Sequence, residues 1–352
     1  MITTDQPASV RTGEEIDLQK LNEYLLKNSS LIGPVKEQKQ FPGGYSNLTY
    51  LLRSEAKDYI LRKPPLGAAI KSAHDMSREF KVLSLLHDHY SKIPRPIIIC
   101  EDANIIGAPF YLMERIIGVI LRPSSVKDIH LPPDHMRKIS ESVVDNLVAL
   151  HSLDIRKTGL VELGKPEGYV QRQVEGWSKR YLAAQTDHID EMEMLSQWLQ
   201  QHQPKEASPT VLHNDYKYDN LILNENNLSE IIGVLDWEMA TVGDPGMDLG
   251  ASLAYWAEEG DADLAKVFNV SWLPGNLTRK GVMERYSEKS GRVIHNPVFY
   301  YVFGLFKNAV IAQQIYARWK QGHSNDPRFA QLIQVIRHLA FRGARAVEGD
   351  SI

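Results

Sequence analysis

The stretch VLHNDYKYDNLILN (residues 211–224), followed by GVLDWEMATVGDPGMDL (residues 233–249), decides the reading of this 352-residue chain. It sets His213 two residues before a carboxylate, Asp215, and an amide, Asn220, five residues after it; a second carboxylate, Asp236, follows sixteen residues later. Between Asn220 and Asp236 the runs LILN and IIGVLD, separated by the polar turn ENNLSE, read as a β-hairpin. A hairpin brings its two ends together, so Asp215, Asn220 and Asp236 converge at one edge of it. Phosphoryl transfer from ATP asks for such a set: one acceptor to orient and deprotonate an alcohol, and two hard oxygen ligands to hold magnesium against the phosphates.

Outward from that hairpin the chain divides. Toward the N-terminus, residues 17–27 place Leu18, Leu21, Leu25 and Leu26 near one face of a helix. The glycine turn PGGYSN then opens a hairpin of LTYLLRS and YILRK, which Pro64 and Pro65 close. SREFKVLSLLH (residues 77–87) returns to helical spacing, and residues 97–100 and 109–117 read as two more strands. The remainder is mostly helical, with amphipathic stretches at 136–151, 176–184, 191–202, 296–321 and 327–346. The expected architecture is α+β: a small β-rich lobe with one main helix, joined to a larger helical lobe that carries a β-hairpin at its site.

Composition narrows the function. Hydrophobic residues at 43% and charged residues at 24% suit a folded soluble protein rather than a disordered or fibrous one. Forty Lys and Arg against 44 Asp and Glu, a net charge of −4, offer no electrostatic footprint for a nucleic-acid partner. Cys100 has no second cysteine to pair with and reads as a small buried hydrophobe, and the twelve histidines show no zinc-ligand spacing. No run of about 18 apolar residues and no signal-peptide pattern occur, so no membrane partner and a cytoplasmic location are expected.

The H-x-D-x-x-x-x-N pattern with its following D-W-E closely resembles the aminoglycoside phosphotransferase-like branch of the protein-kinase-like fold. GDPGMDLG is similar to the stretch after that family's metal aspartate, and PGGYSNLTYLL to its nucleotide loop. YILRKPP, SAHDMSREFKVL, FYLMERIIG and GLFKNAVIAQQIYARWKQGHSNDPRF resemble bacterial members related to the kinase-like domain fused to some acyl-CoA dehydrogenases, a likeness covering roughly residues 30–340. The resemblance implies a two-lobed protein-kinase-like fold, with an N-lobe over residues 1–115 and a C-lobe over 116–352. It implies ATP and magnesium as cofactors, Asp215 as base or orienting group, Asn220 and Asp236 as metal ligands, and His213 as a brace of the loop. Arg62 or its neighbour Lys63 would meet the phosphates, since strand alternation lets only one of them face the cleft; the family's L-R pattern favours Arg62, with Glu79 as its partner. Met113 would sit beside the adenine, the backbone of Glu114 and Ile116 would bind the base, and Ser46 and Asn47 the phosphates. Two departures stand out: the nucleotide loop is not G-x-G-x-x-G, and arginine replaces lysine, which keeps a positive fork for phosphate. Asp244 and Asp248 read as capping and loop-bracing residues, and Glu238 either approaches a second metal or is a solvated acid.

The acceptor is expected to be a small hydroxylated molecule, because only eleven residues separate Asp236 from Asp248 and no A-P-E follows, leaving no peptide-docking segment. Residues 301–352 carry seven Lys and Arg against three Asp and Glu, an excess of four positive charges, which argues against a polycationic acceptor; the resemblance of this stretch to the acyl-CoA dehydrogenase-associated relatives implies an acidic or acyl-CoA-like one. Gln173, Trp177, Lys307, Gln314, Tyr316 and Arg318 are the candidate substrate residues, set against the plainer reading of buried aromatics and a solvated cationic face. An aminoglycoside or choline-type kinase and a nucleotide-binding pseudokinase scaffold are the alternatives; the second would lack a base or metal ligand, and none is missing. Oligomeric state is left open.

Overall fold

The computed structural model describes residues 6–29, 32–41, 47–55, 57–65, 76–128, 130–323 and 326–352. Ser46 and most of the PGGYSN turn lie outside the described residues. Helix α1 (Leu18–Asn28) starts where the Asp17 side chain accepts a hydrogen bond from the Lys20 N–H at 3.1 Å. It buries Leu21 and Leu25, while Leu26, expected on the same face, is exposed because it lies about 100° further round.

Five antiparallel strands follow as one sheet in the order β1-β2-β3-β5-β4: β1 (Val35–Gln40), β2 (Leu48–Ser54), β3 (Asp58–Lys63), β4 (Pro96–Cys100) and β5 (Phe110–Glu114). The β2–β3 hairpin is the one the apolar runs announce. Strand β1 was not legible, since VKEQKQ holds a single apolar residue and becomes a strand only by pairing with β2. Both faces of the sheet are covered, and alternation sorts the side chains. Leu51, Ile60, Tyr111 and Met113 face helix α2 (Met76–Leu86) and the helical lobe, whereas Tyr50, Leu52, Tyr59, Leu61 and Leu112 pack with Leu21 and Leu25 of α1.

After β5 the chain crosses to the second lobe and is stitched to it at once. The Val119 N–H donates to the Leu223 carbonyl at 2.9 Å and the Leu223 N–H returns to Val119 at 2.8 Å. Gly118 has to be glycine there: a Cβ would sit 2.4 Å from the Leu223 oxygen. The crossing is thereby tied to β7 (Leu221–Asn224), which pairs with β8 (Asn227–Val234); the turn between them is only two residues, shorter than expected. A second ladder pairs β6 (Thr210–Leu212) with β9 (Thr241–Gly243).

The rest is helical: α3 (Pro133–His151), α4 (Tyr169–Ala184), α5 (Asp190–Gln201), α6 (Pro245–Tyr255), α7 (Asp263–Lys266), α8 (Arg279–Ser290), α9 (Pro297–Lys320) and α10 (Leu332–Gly349). Helix α4 starts seven residues earlier than its periodicity suggested, and α8 had no legible stripe because only Val282 and Tyr286 are buried. Helix α9 runs through the middle of this lobe against α4, α5, α6 and α10. Its contact with α6 is backbone to backbone: a Cβ on Gly304 would lie 2.3 Å from the Gly250 oxygen. Among the described residues no helix is long and apolar enough to cross a membrane.

Candidate active site

The pairing Leu221↔Val234 sets the two ends of the hairpin level, so Asn220 before β7 and Asp236 just beyond β8 leave the same edge. The Leu235 N–H donates to the Asn220 carbonyl at 2.8 Å and locks that level. Asp236 has left-handed backbone, φ 66°, as does Asn214, φ 64°. Residues other than glycine adopt that conformation at a cost, and they persist where neighbours hold them. Trp237 is the holder at Asp236: its indole N–H donates to the Val234 carbonyl at 2.9 Å and its ring packs 4.7 Å from His213.

The loop before β7 is held from beneath. Asp248, on the first turn of α6 and fully buried, accepts the N–H of His213 and of Asn214, each at 2.7 Å, and His151 at 3.1 Å. The pairing of β6 with β9 makes this possible, because it brings the ends of the loop and of α6 side by side. Asp248 braces the loop, as expected, and Asp244 caps α6 through the Gly246 N–H at 2.7 Å. His213 is fully buried; its Nε2 donates to the Leu235 carbonyl at 2.9 Å and its Nδ1 accepts the Asp215 N–H at 3.2 Å. It lies behind Asp215, between the loop and the β8 end.

Asp215 itself is reached by Asn220 Nδ2 at 2.9 Å and by Lys217 Nζ at 3.4 Å. Burial would raise its pKa, but Lys217, Lys307 and His213 prevail and hold it below the ordinary carboxylate value. Asn220 spends its amide N–H groups on the Asp215 carboxylate and carbonyl, which leaves its Oδ1, a hard oxygen, as the atom a cation would meet. Asp236 is the more open acid, with its side chain 34% exposed. Two hard oxygen donors, one on the open Asp236 and one on the buried Asn220, suit magnesium, which keeps waters and substrate phosphates in its shell, better than a closed protein cage would.

Across the cleft, alternation on β3 sends Arg62 the same way as Ile60. Its guanidinium pairs with Glu79 of α2 and reaches Asp236 Oδ1 at 3.2 Å. Burial works against that charge, yet Glu79 and Asp236 raise its pKa well above the ordinary value. Lys63 goes to the opposite face with Tyr59 and Leu61, its Nζ 5.9 Å from the Tyr50 ring, and so is removed from the candidate phosphate contacts. Arg78 fastens α2 to the site by donating to the Ala240 carbonyl at 2.8 Å. Asn47 reaches across to Glu238 at 3.0 Å, and burial with Asp236 nearby pushes the Glu238 carboxyl up to about 8. Glu238 is thus a cleft residue, not a solvated one. Met113 lies on the cleft face of β5, Glu114 gives its N–H to Arg95 at 2.9 Å, and Ile116 packs toward Gly233.

The six candidate substrate residues do not form one group. Lys307 is buried and donates to the Asn214 carbonyl, and its Nζ lies 6.0 Å from the Trp177 ring, whose N–H donates to Gln173 at 3.2 Å. Gln314 shares the Lys307 face of α9, seven residues on. Tyr316 lies on the opposite stripe, stacked 5.7 Å from Trp319, and Arg318 is an exposed residue near the end of α9. About half of the positive excess of residues 301–352 is also spent elsewhere, Lys320 on Asp187 at 3.0 Å and Arg342 on Asp261 at 3.5 Å, while Arg328 and Arg345 pair inside the segment with Asp326 at 2.6 Å and Glu348 at 2.9 Å. The cations that do stand beside Asp215 are Lys307 and Lys217, the latter lying 4.6 Å over the Tyr255 ring. Lys217 and Tyr255 were not singled out from sequence, although Lys217 sits inside the decisive motif.

A five-stranded lobe with one paired helix, a helical lobe, and a catalytic-type loop with its hairpin between them define the kinase-like phosphotransferase fold. The chain belongs to the phosphotransferase enzyme family, whose model matches residues 37–285. It is 36% identical over 343 residues to acyl-CoA dehydrogenase family member 10 of Mus musculus, covering 94% of this chain and 31% of that protein. With acyl-CoA dehydrogenase family member 11 of Homo sapiens it shares 31% identity, covering 96% of this chain and 44% of that protein. The chain thus spans less than half the length of these curated relatives. Among solved structures, a proposed aminoglycoside phosphotransferase from Ralstonia eutropha JMP134 superposes with a TM-score of 0.79 at 27% identity, covering 95% of this chain and 99% of that one. The GDP complex of an aminoglycoside 2'-phosphotransferase-IIIa variant gives 0.64 at 15% identity, over 95% of this chain and 99% of that one. The complex of spectinomycin phosphotransferase with ADP and spectinomycin gives 0.58 at 13%, with the same coverage.

Proposed function

We propose that this phosphotransferase is an ATP- and magnesium-dependent small-molecule O-kinase, with lobes over residues 1–115 and 116–352 and the nucleotide between them. The observation that carries the reading is the convergence of Asp215, Asn220 and Asp236 at one hairpin edge, opposite an Arg62 already paired with Glu79. Solved neighbours complexed with GDP and ADP support a nucleotide donor. In this reading Arg62 exchanges Asp236 for nucleotide phosphate, and Asn47, Glu114 and Ile116 contribute to the nucleotide site. Asn220 and Asp236 hold magnesium, which when bound would offset charge on the transferred phosphoryl group.

Asp215 accepts the hydrogen bond of the acceptor hydroxyl and takes its proton as the new bond forms. Its depressed pKa makes it a weak base, which fits a loose phosphoryl-transfer transition state in which aiming the nucleophile matters more than deprotonating it early. His213 and Asp248 fix its direction. Lys217, beside Asp215 and at the cleft, favours an acidic acceptor, such as a hydroxy acid or its thioester, over a polycation. The segment from Asp236 to α6 is used up by a short turn and β9, which supports a small molecule rather than a peptide. An aminoglycoside acceptor is the second reading, favoured by the Ralstonia neighbour. The single buried thiol, Cys100, suits a reducing, cytoplasmic setting.

The test is ADP release from magnesium-ATP across hydroxy acids, hydroxyacyl-CoAs, choline and aminoglycosides. One class is expected to stimulate turnover, and Asp215→Asn to lower it by about 10²–10⁴ while sparing nucleotide affinity. Equal loss of nucleotide affinity would count against the role given to Asp215.

A further inference from the structure

We infer that Lys307 is a positioning residue of the catalytic loop: together with His213 it clamps the peptide unit in front of Asp215 from both ends, and so sets the direction of that carboxylate. The inference rests on the reading of Asp215 as the group that meets the acceptor.

The peptide between Asn214 and Asp215 has one carbonyl and one N–H. The carbonyl accepts from Lys307 Nζ and the N–H donates to His213 Nδ1 at 3.2 Å. With both ends held, the rotations on either side of that plane are fixed, and the Asp215 side chain is aimed by them. The preceding residue is over-determined in the same way. Asn214 is left-handed; its N–H goes to Asp248 at 2.7 Å, its Nδ2 to the Met239 carbonyl at 3.1 Å, and its Oδ1 accepts from Tyr169 at 3.3 Å. Such strain survives only where surroundings enforce it, and Lys307 supplies the last contact, from a helix distant in sequence.

Packing alone gives no reason for a lysine here. Lys307 is 2% exposed in a mostly apolar run of α9, with Phe306 and Val310 fully buried and Asn308 the buried polar residue beside it. The groups facing its ammonium are Asp215 and Lys217 of the loop, Asp248 of α6, and the Trp177 ring of α4 at 6.0 Å. Burial wins over the two acids and brings the amine down to about 8. A charge held at that cost, and spent on one loop carbonyl, serves the loop. Its burial also replaces the expectation that Lys307 contacts substrate.

Hydrogen–deuterium exchange of the unliganded protein reads the clamp without need of an acceptor. In Lys307→Met the amides of residues 211–220 are expected to exchange about tenfold faster or more, with α9 and α6 unchanged, and Lys307→Arg, which keeps a charged donor, to recover protection. In the unsubstituted protein, loop protection corrected for intrinsic rates is expected to fall as pH rises through about 8, while α10 stays constant. Unchanged loop exchange in Lys307→Met, or faster exchange spread over the whole helical lobe, would overturn the inference. Should Lys307→Met not fold, a flat pH profile of the loop would overturn it equally. Magnesium-ATP hydrolysis by Asp215→Asn is measured beside it: wild-type hydrolysis there would sink the reading of Asp215 and leave the exchange result to judge the clamp alone.

Discussion

Replacing Asp248 by asparagine isolates what holds the loop in place. The carboxylate accepts three hydrogen bonds in a fully buried position: His213 N–H and His151 Nε2 on one oxygen, at 2.7 and 3.1 Å, and Asn214 N–H on the other, at 2.7 Å. An amide keeps one oxygen. If that oxygen serves His213 and His151, the new NH₂ faces the Asn214 N–H, donor against donor. One buried N–H then goes unsatisfied at about 1–3 kcal/mol, and the two remaining bonds drop from charge-assisted to neutral at about 1 kcal/mol each. The total is about 3–5 kcal/mol, or a fall of about 4–7 °C in thermal midpoint for a chain of this size. The sign of the pH dependence follows from the same contacts. Burial raises the Asp248 pKa, but His151, His213 and their hydrogen bonds bring it below the ordinary 3.8. Its stabilisation is therefore full above pH 3.8 and is lost as pH falls through the lower folded value. Thermal melts followed by circular dichroism at neutral pH and again below pH 3.8 should show the variant's deficit at the first and its shrinkage at the second. A midpoint within about 2 °C of the parent at neutral pH, well under the shift worked above, would refute the brace.

Three more expectations follow from other contacts. Glu79→Gln keeps an acceptor for Arg62 but removes the charge that holds it, so affinity for magnesium-ATP measured by calorimetry should fall about tenfold, near 1.4 kcal/mol, alongside a loss of stability of about 3 kcal/mol for the broken buried pair; unchanged affinity would make the pair structural only. Lys63→Met, on the face away from the cleft, should leave that affinity within about twofold, a difference below 0.5 kcal/mol, and a larger loss would return Lys63 to the phosphate site. Gly304→Ala forces a Cβ to 2.3 Å from the Gly250 oxygen, so α6 and α9 must part. About 1–3 kcal/mol of stability should be lost in denaturant titration, and an unaltered midpoint would contradict the close packing.

Much of this was legible because it is local. The hairpin at residues 221–234 was announced by two apolar runs with a polar turn between them, and its pairing alone levels Asn220 with Asp236. Alternation along YILRK let only one of Arg62 and Lys63 face the cleft, and the covered sheet puts Ile60 on one side and Leu61 on the other, with Arg62 reaching Asp236 from the Ile60 side. What failed did so for a physical reason. Strand β1 has no pattern of its own and takes its conformation from β2. The charge excess of residues 301–352 is a poor guide to a pocket, since Lys320 and Arg342 find Asp187 and Asp261, acids that sequence order does not place beside them.

By itself the sequence determined the family, through the resemblance that its short motifs carry, and the two-lobed plan, through hydrophobic periods of two and 3.6 residues, and it named the candidate acids. Only the tertiary structure decided which groups aim those acids. Asp248 reaches the loop through the pairing of β6 with β9, and Lys307 reaches Asn214 because α9 packs through the centre of its lobe. Contacts between residues 34 and 93 positions apart are set by how helices and ladders stack, and no local pattern in the chain encodes that stacking.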